Sequence, residues 1–105
     1  MEPRQTKPAS TNSSAPSLGR LLYRNVIVVA LQNLGLGRWR DVMSSRKWRK
    51  SKEFTDTCLL ADWNKDWVES LFQSIEGLHR HQNDSIRMKL TRDYVSLLRC
   101  TAREN

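Results

Sequence analysis

Between Arg38 and Lys52 the chain reads RWRDVMSSRKWRKSK, where Arg38, Arg40, Arg46, Lys47, Arg49, Lys50 and Lys52 stand against the single acid Asp41. This window holds six of the seven net positive charges of the 105-residue sequence, and the rest is nearly neutral. Scattered solubilising charge would carry both signs along a chain, so this concentration points to a surface that meets an anion. Trp39 and Trp48 are interleaved with the cations. That mixture suits nucleic acid, because lysine and arginine neutralise phosphates while an indole stacks on an exposed base. The expected contacts are Arg38, Arg40, Arg46, Lys47, Arg49, Lys50 and Lys52 to phosphate, with Trp48 as the stacking residue. Three further readings stay open: RKWRK as a nuclear import signal, an acidic protein or lipid surface as the target, and plain solubility. Ser44, Ser45 and Ser51 lie inside the cluster, where a phosphate would cancel up to about two charges each.

No other constellation competes with the basic window. A nucleophile beside a base, paired carboxylates, a glycine-rich phosphate loop and a zinc motif are all missing from the sequence, so no catalysis, cofactor or metal is expected. His79 and His81 flank Arg80 as H-x-H, which on a helix sets the rings well apart. No cysteine or carboxylate completes a metal shell at a usual spacing, so these histidines are expected at a helix terminus, where they complement its dipole. Gly35-Leu36-Gly37 is too short for a dinucleotide fingerprint and reads as a helix stop. Cys58 and Cys100 lie far apart with no CxxC partner, so no disulfide framework is expected.

The elements that must present the basic window follow from hydrophobic spacing. Residues 1–17 hold all three prolines and almost nothing apolar, the composition of a disordered tail. Residues 18–105 are left to form one helical domain with 38–52 as its basic segment, a modest core for so short a chain. A chain of this size seldom surrounds a deep substrate pocket, and binding or scaffolding is expected instead. Ser17 offers an N-cap to a first helix whose Leu18, Leu21, Leu22, Val29 and Leu34 recur at helical spacing. Its centre, VIVVAL, is apolar on every side and β-branched, so a strand competes there with a helix packed on two neighbours.

From Arg38 onward Trp39, Val42 and Met43 share one helical face. Trp48 lies nine residues past Trp39, half a turn off that face. Either the helix breaks near Ser44 and Ser45, or Trp48 projects outward among the cations. The next segment, about Thr55 to His79, carries Leu60, Trp63, Trp67, Leu71, Ile75 and Leu78 on one stripe widened by Cys58, Val68 and Phe72; a cap at Asp62 or Asn64 would divide it in two. Trp63 and Trp67 are expected in the core. In the last segment Asp84 or Ser85 caps a helix marked by Ile86, Leu90, Tyr94, Leu97 and Leu98. The fold expected is an all-α bundle of three to four helices with a disordered N-terminal tail. The longest apolar run, Val26 to Leu31, is far too short to span a bilayer, and no signal-peptide pattern precedes it, so an intracellular, soluble protein is expected.

Two families bear comparison. The four tryptophans are spaced by nine, fifteen and four residues, unlike the regular, wider spacing of Myb-type DNA-binding repeats, and that family is set aside. Leu22-Tyr23-Arg24 resembles the tripeptide that names the LYR family of small, basic, three-helix mitochondrial assembly factors. Phe54 lies near the distance at which those proteins carry a downstream phenylalanine. The resemblance implies import into mitochondria and contact of Leu22, Tyr23, Arg24 and Phe54 with an acyl carrier partner. The chain departs from that pattern at Asn25-Val-Ile-Val-Val-Ala, where the family continues with a charged amphipathic helix.

The leading expectation is a small helical regulatory or adaptor protein of the nucleus. Its bundle would dock on a protein partner while the basic segment contacts DNA, RNA or another acidic surface. A mitochondrial LYR-type assembly factor is the alternative. Pairing with a second copy or another chain is also expected, given so small a core and the apolar surface around VIVVAL.

Overall fold

A computed structural model describes residues 17–104; apart from Ser17, the expected tail lies outside the described residues. These form five α-helices and no strand: α1 (Leu18–Leu36), α2 (Trp39–Arg49), α3 (Lys52–Ala61), α4 (Lys65–Arg80) and α5 (Asp84–Thr101). The all-α expectation holds, but the helix count is five rather than three to four. The extra divisions come from short local stops within apolar stripes that run almost unbroken in sequence.

Each stop has a local cause. The Ser17 side chain accepts from the Arg20 N–H at 3.2 Å and starts α1. At the turn into α2, a Cβ on Gly37 would sit 2.5 Å from the Asn33 carbonyl oxygen and 2.7 Å from the Asp41 Cβ. Space, and not a left-handed backbone, therefore fixes that glycine. Asp41 then accepts from the Arg38 N–H at 3.2 Å and closes the first turn of α2. Asp62 adopts φ 57, and the Asp62 and Trp63 N–H groups bond back to the Leu59 and Cys58 carbonyls, ending α3. Asn64 accepts from the Trp67 N–H at 2.9 Å and restarts the chain as α4. At the far end of α4, Gln82 repeats the left-handed stop.

Helix α1 contacts all four others. VIVVAL is helical throughout and packs through Ile27, Val28 and Leu31, while Val26 and Val29 face outward. Burial of these side chains against Val42, Phe54, Cys58, Phe72, Ile75, Val95 and Leu98 makes one core, at roughly 1.5–3 kcal/mol for each large side chain. The C-terminal end of α1 is held by cationic or ring donors from the next layer. His79 Nε2 donates to the Leu34 carbonyl at 2.5 Å, and Arg87 Nε donates to Gly35 at 3.0 Å, both favoured by the negative end of the helix.

Two faces differ from the sequence expectation. In α5 the buried line is Thr91, Val95 and Leu98, while Ile86 is 57% exposed and Leu97 also faces solvent. The reason lies in α1: Gly35 opens a notch into which Thr91 fits, so the small polar residue sits innermost; of the expected line Leu98 is buried and Leu90 and Tyr94 pack half-buried on the core, while Ile86 and Leu97 turn outward. In α2 the inward residues are Val42, Ser45 and Trp48, with Trp39 and Met43 outside.

The notch gives a sharp test. A Cβ on Gly35 would meet Thr91 Oγ1 at 1.9 Å and Thr91 Cβ at 2.6 Å, so Gly35→Ala forces α1 and α5 apart. Overpacking of this kind costs about 1–3 kcal/mol. Urea unfolding should show that loss, and an unchanged midpoint would remove the notch from the account.

Candidate functional site

Helix α2 is one continuous helix, so neither alternative read from the tryptophan spacing describes it. Trp48 turns inward and is half-buried, edge-on to Phe54 at 5.4 Å between ring centroids and tilted against Phe72 at 6.4 Å. Ser45 is buried, and its hydroxyl donates to the Ala30 carbonyl at 2.7 Å, drawing α2 close to α1. Trp39 is the indole left in solvent, 65% exposed. The guanidinium of Arg46 lies over it, 5.3 Å from the ring centroid, a contact worth about 0.5–1 kcal/mol at an exposed site.

The cations divide into two groups. Arg46 pairs with Glu76 at 2.7 Å, and Arg49 reaches Glu69 at 3.4 Å and Glu76 at 3.7 Å. These half-buried pairs bridge α2 and α4, whose Cα atoms come no closer than 8 Å. Long side chains span the gap where backbones would otherwise pack. Arg49 commits both terminal nitrogens to carboxylates, and its buried Nε has no partner. Among the described residues, Arg40, Lys47 and Lys50 enter no ion pair and are exposed. Arg38, which caps α2, and Lys52, at the start of α3, are also exposed but line neither of the two troughs that run over this surface.

Two adjoining troughs run over the surface so formed. One, of about 540 Å³, lies between α2 and α4 and is lined by Arg46, Arg49, Lys50, Gln73, Glu76 and Arg80. The other, of about 640 Å³, crosses α2 between Arg40, Met43, Ser44, Arg46, Lys47 and Lys50. Arg46 and Lys50 belong to both. Together they hold six cations, opposed by Glu76 in the wall and Glu69 on Arg49. Four positive charges remain after pairing.

Sequence reasoning missed Arg80 and gave Trp48 the part of the exposed aromatic. A signal for Arg80 was present, since Glu69, Gln73, Glu76 and Arg80 follow helical spacing and must share a face of α4. The exchange between Trp39 and Trp48 had no local signal. Of the three serines in the cluster, Ser44 is exposed and lines a trough, Ser45 is buried, and the Ser51 hydroxyl donates to the Trp48 carbonyl at 2.6 Å.

The tripeptide residues lie in the N-terminal half of α1 and line neither trough. Leu22 is exposed and Tyr23 half-buried. Arg24 is only 2% exposed; it donates to the carbonyls of Ala61 at 2.8 Å, Ala102 at 3.0 Å and Glu104 at 2.5 Å. Its guanidinium also lies 5.2 Å from the centroid of Trp63. Burial, then the neighbouring Arg20, lowers its pKa from the ordinary value, while Asp62 and Glu104 oppose that shift. Phe54 is buried beneath Trp48. Beside Arg24, Leu18, Leu21, Leu22, Val28 and Ala102 floor a groove of about 460 Å³ edged by Asn25, Arg99 and Arg103.

Among the described residues no group of three metal-ligating side chains converges, and no helix is long and apolar enough to cross a membrane. Comparison with known proteins gives no matching family model, no matching curated relative and no matching solved structure.

Two measurements check this geometry. Lysine cannot reproduce the fork that lets Arg24 reach three carbonyls, so Arg24→Lys should cost about 2–3 kcal/mol in chemical denaturation, the range of a lost charged hydrogen bond with its carbonyl left unpaired. Burial pushes the Cys58 thiol up from 9.0 to about 11, with Lys65 lowering it and Glu69 raising it by smaller amounts. In the folded protein a thiol reagent near neutral pH should modify exposed Cys100 and spare Cys58. Above pH 9.0 the unfolded thiol ionises, while the folded one stays neutral up to about 11. The Cys58 contribution to stability is therefore full below pH 9 and declines as pH rises through that window.

Proposed function

We propose that this protein is a non-catalytic helical adaptor that binds polyanions, nucleic acid foremost, through the outer face of α2 and the adjoining edge of α4. The observation that carries the reading is the residual charge: Glu69 and Glu76 occupy Arg46 and Arg49, yet Arg40, Lys47, Lys50 and Arg80 still face solvent along continuous troughs. Four cations on one surface raise the local concentration of a phosphate chain and set a steep salt dependence. The basic run supports a nuclear site of action.

The outer face of α1 supports the protein-partner part of the reading. Leu18, Leu22, Val26 and Val29 are exposed along it, and from Leu21 to Gly37 the sole charged residue, Arg24, is buried. An uncharged apolar strip on a small cationic protein is a surface to be covered. The mitochondrial alternative draws less support, because Arg24 and Phe54, which would have to meet an outside partner, are both inside the core.

The test is binding to DNA and RNA across a salt series. About four phosphate contacts give a log–log slope near −3.6 on duplex DNA and near −2.8 on a single strand. Arg40→Glu, Lys47→Glu and Lys50→Glu together should abolish binding and leave helicity unchanged, because all three side chains lie in solvent. Undiminished affinity in that triple variant would remove the α2 face from the assignment.

A further inference from the structure

We infer that the α2 face is a single-strand site in which Trp39 stacks on an unpaired base while Arg40, Lys47, Lys50 and Arg80 follow the phosphates. The inference rests on the polyanion reading above and gives it a ligand class: single-stranded DNA or RNA rather than duplex or a base-free polyanion.

The first support is the state of Trp39. A large apolar ring 65% exposed sits at the end of a cationic helix face. One side of the ring is covered by the Arg46 guanidinium, and that guanidinium is fixed from behind by its 2.7 Å contact with Glu76. Met43, one turn along, is within 3.8 Å of Arg46 through its sulfur, so the arginine is held from three directions. The indole is thus backed on one face and open on the other, the form of a stacking platform. A base inside a duplex has both faces occupied by its neighbours; an unpaired base has a π-face to offer.

The second support is the shape of the charged surface. Cations that read a duplex are usually presented on a helix that stands free and enters the major groove. Here α4 flanks α2, bridged by Arg46–Glu76 and Arg49–Glu69, and the charge lines troughs between and across the helices. A trough suits one backbone. From Trp39 to Lys50 the helix rises by about 16 Å, long enough for a few nucleotides of extended strand, with the indole at one end and Lys47 and Lys50 at the other. Glu76 sits in the wall of the trough, already paired, and leaves the outer cations unopposed.

The third support is that the competing indole is committed elsewhere. Trp48 packs on Phe54 and Phe72 and cannot stack on a base without opening the core. Trp63 and Trp67 pack edge-on against each other at 5.8 Å and line neither trough, so quenching on binding is assigned to Trp39 and should be lost in Trp39→Ala.

Fluorescence titration of the full chain tests this with four probes: oligo(dT) and oligo(rU) of about 12 nucleotides, a duplex of the same length, and inorganic polyphosphate. The expected result is tryptophan quenching with the two single strands and tighter binding to them than to the duplex at equal salt. Trp39→Ala should weaken single-strand binding about tenfold or more, within the range reported for removal of one stacked base. It should leave polyphosphate affinity within about twofold, since no phosphate contact is removed, and Trp39→Phe should recover part of the loss. Circular dichroism of the variants checks that the fold is retained, as expected for a solvent-facing side chain. Equal affinity for duplex and single strand, or a Trp39→Ala variant as good as the parent on oligo(dT), overturns the inference while binding to polyphosphate keeps the polyanion reading. Failure of all four probes to bind overturns both.

Discussion

One helix touches every other in this protein, so burial of the inner face of α1 is the constraint on which the remaining structure depends. Ile27, Val28, Leu31 and Leu34 fill the centre of the core, and the ends of the same helix are fastened by polar contacts of a different kind. At one end Arg24 gathers the carbonyls of Ala61, Ala102 and Glu104, joining the close of α3 to the close of α5. At the other, His79 and Arg87 satisfy the carbonyls of Leu34 and Gly35. A buried guanidinium is costly to desolvate, and three acceptors with an indole beside it offset that cost. The helix is apolar in the middle and tied at both ends, which leaves its outer face bare.

The basic surface follows from how α2 is attached to that scaffold. Val42, Ser45 and Trp48 fix it to the core, while Arg46 and Arg49 spend their charge on α4. The attachment uses two of the seven cations in the window and one of its two tryptophans. Five cations are left outside, and of these Arg40, Lys47 and Lys50 line the troughs, a smaller surface than the whole run of sequence suggests. The ion pairs also give it shape, because the carboxylates of α4 hold the two helices at the distance of an arginine side chain and leave a trough.

The same economy explains why Arg24 of the LYR tripeptide and the downstream Phe54 are inward features here. Arg24 is the one charge of the central helix beyond its first turn, and a lone charge in an apolar segment finds backbone carbonyls at neighbouring helix ends, where acceptors are unsatisfied. Phe54 lies under Trp48 and against Phe72 as part of an aromatic cluster that seats α2 and α3 on α4. Both residues serve folding in this chain, whatever partner the protein engages.

Helical class, the location of the charge, the Ser17 cap and the Asn64 restart were all legible in the sequence, because periodicity, composition and capping are local properties of a few consecutive residues. Burial of Trp63 is expected from the stripe it shares with Leu60, Trp67 and Leu71, although Trp63 lies in the turn between α3 and α4, Trp67 is half-buried and Leu60 faces solvent. The exchange of roles between Trp39 and Trp48, the pairing of Arg46 and Arg49 with α4, and the addition of Arg80 to the site depended on which helix came to lie beside α2. Seating Thr91 in the Gly35 notch, and so turning Ile86 and Leu97 outward, required a contact between residues far apart in the chain. Helical spacing states which side chains share a face. Which face turns inward is decided by the volumes and charges of the neighbours that the fold brings to it, and those are set only when the helices pack.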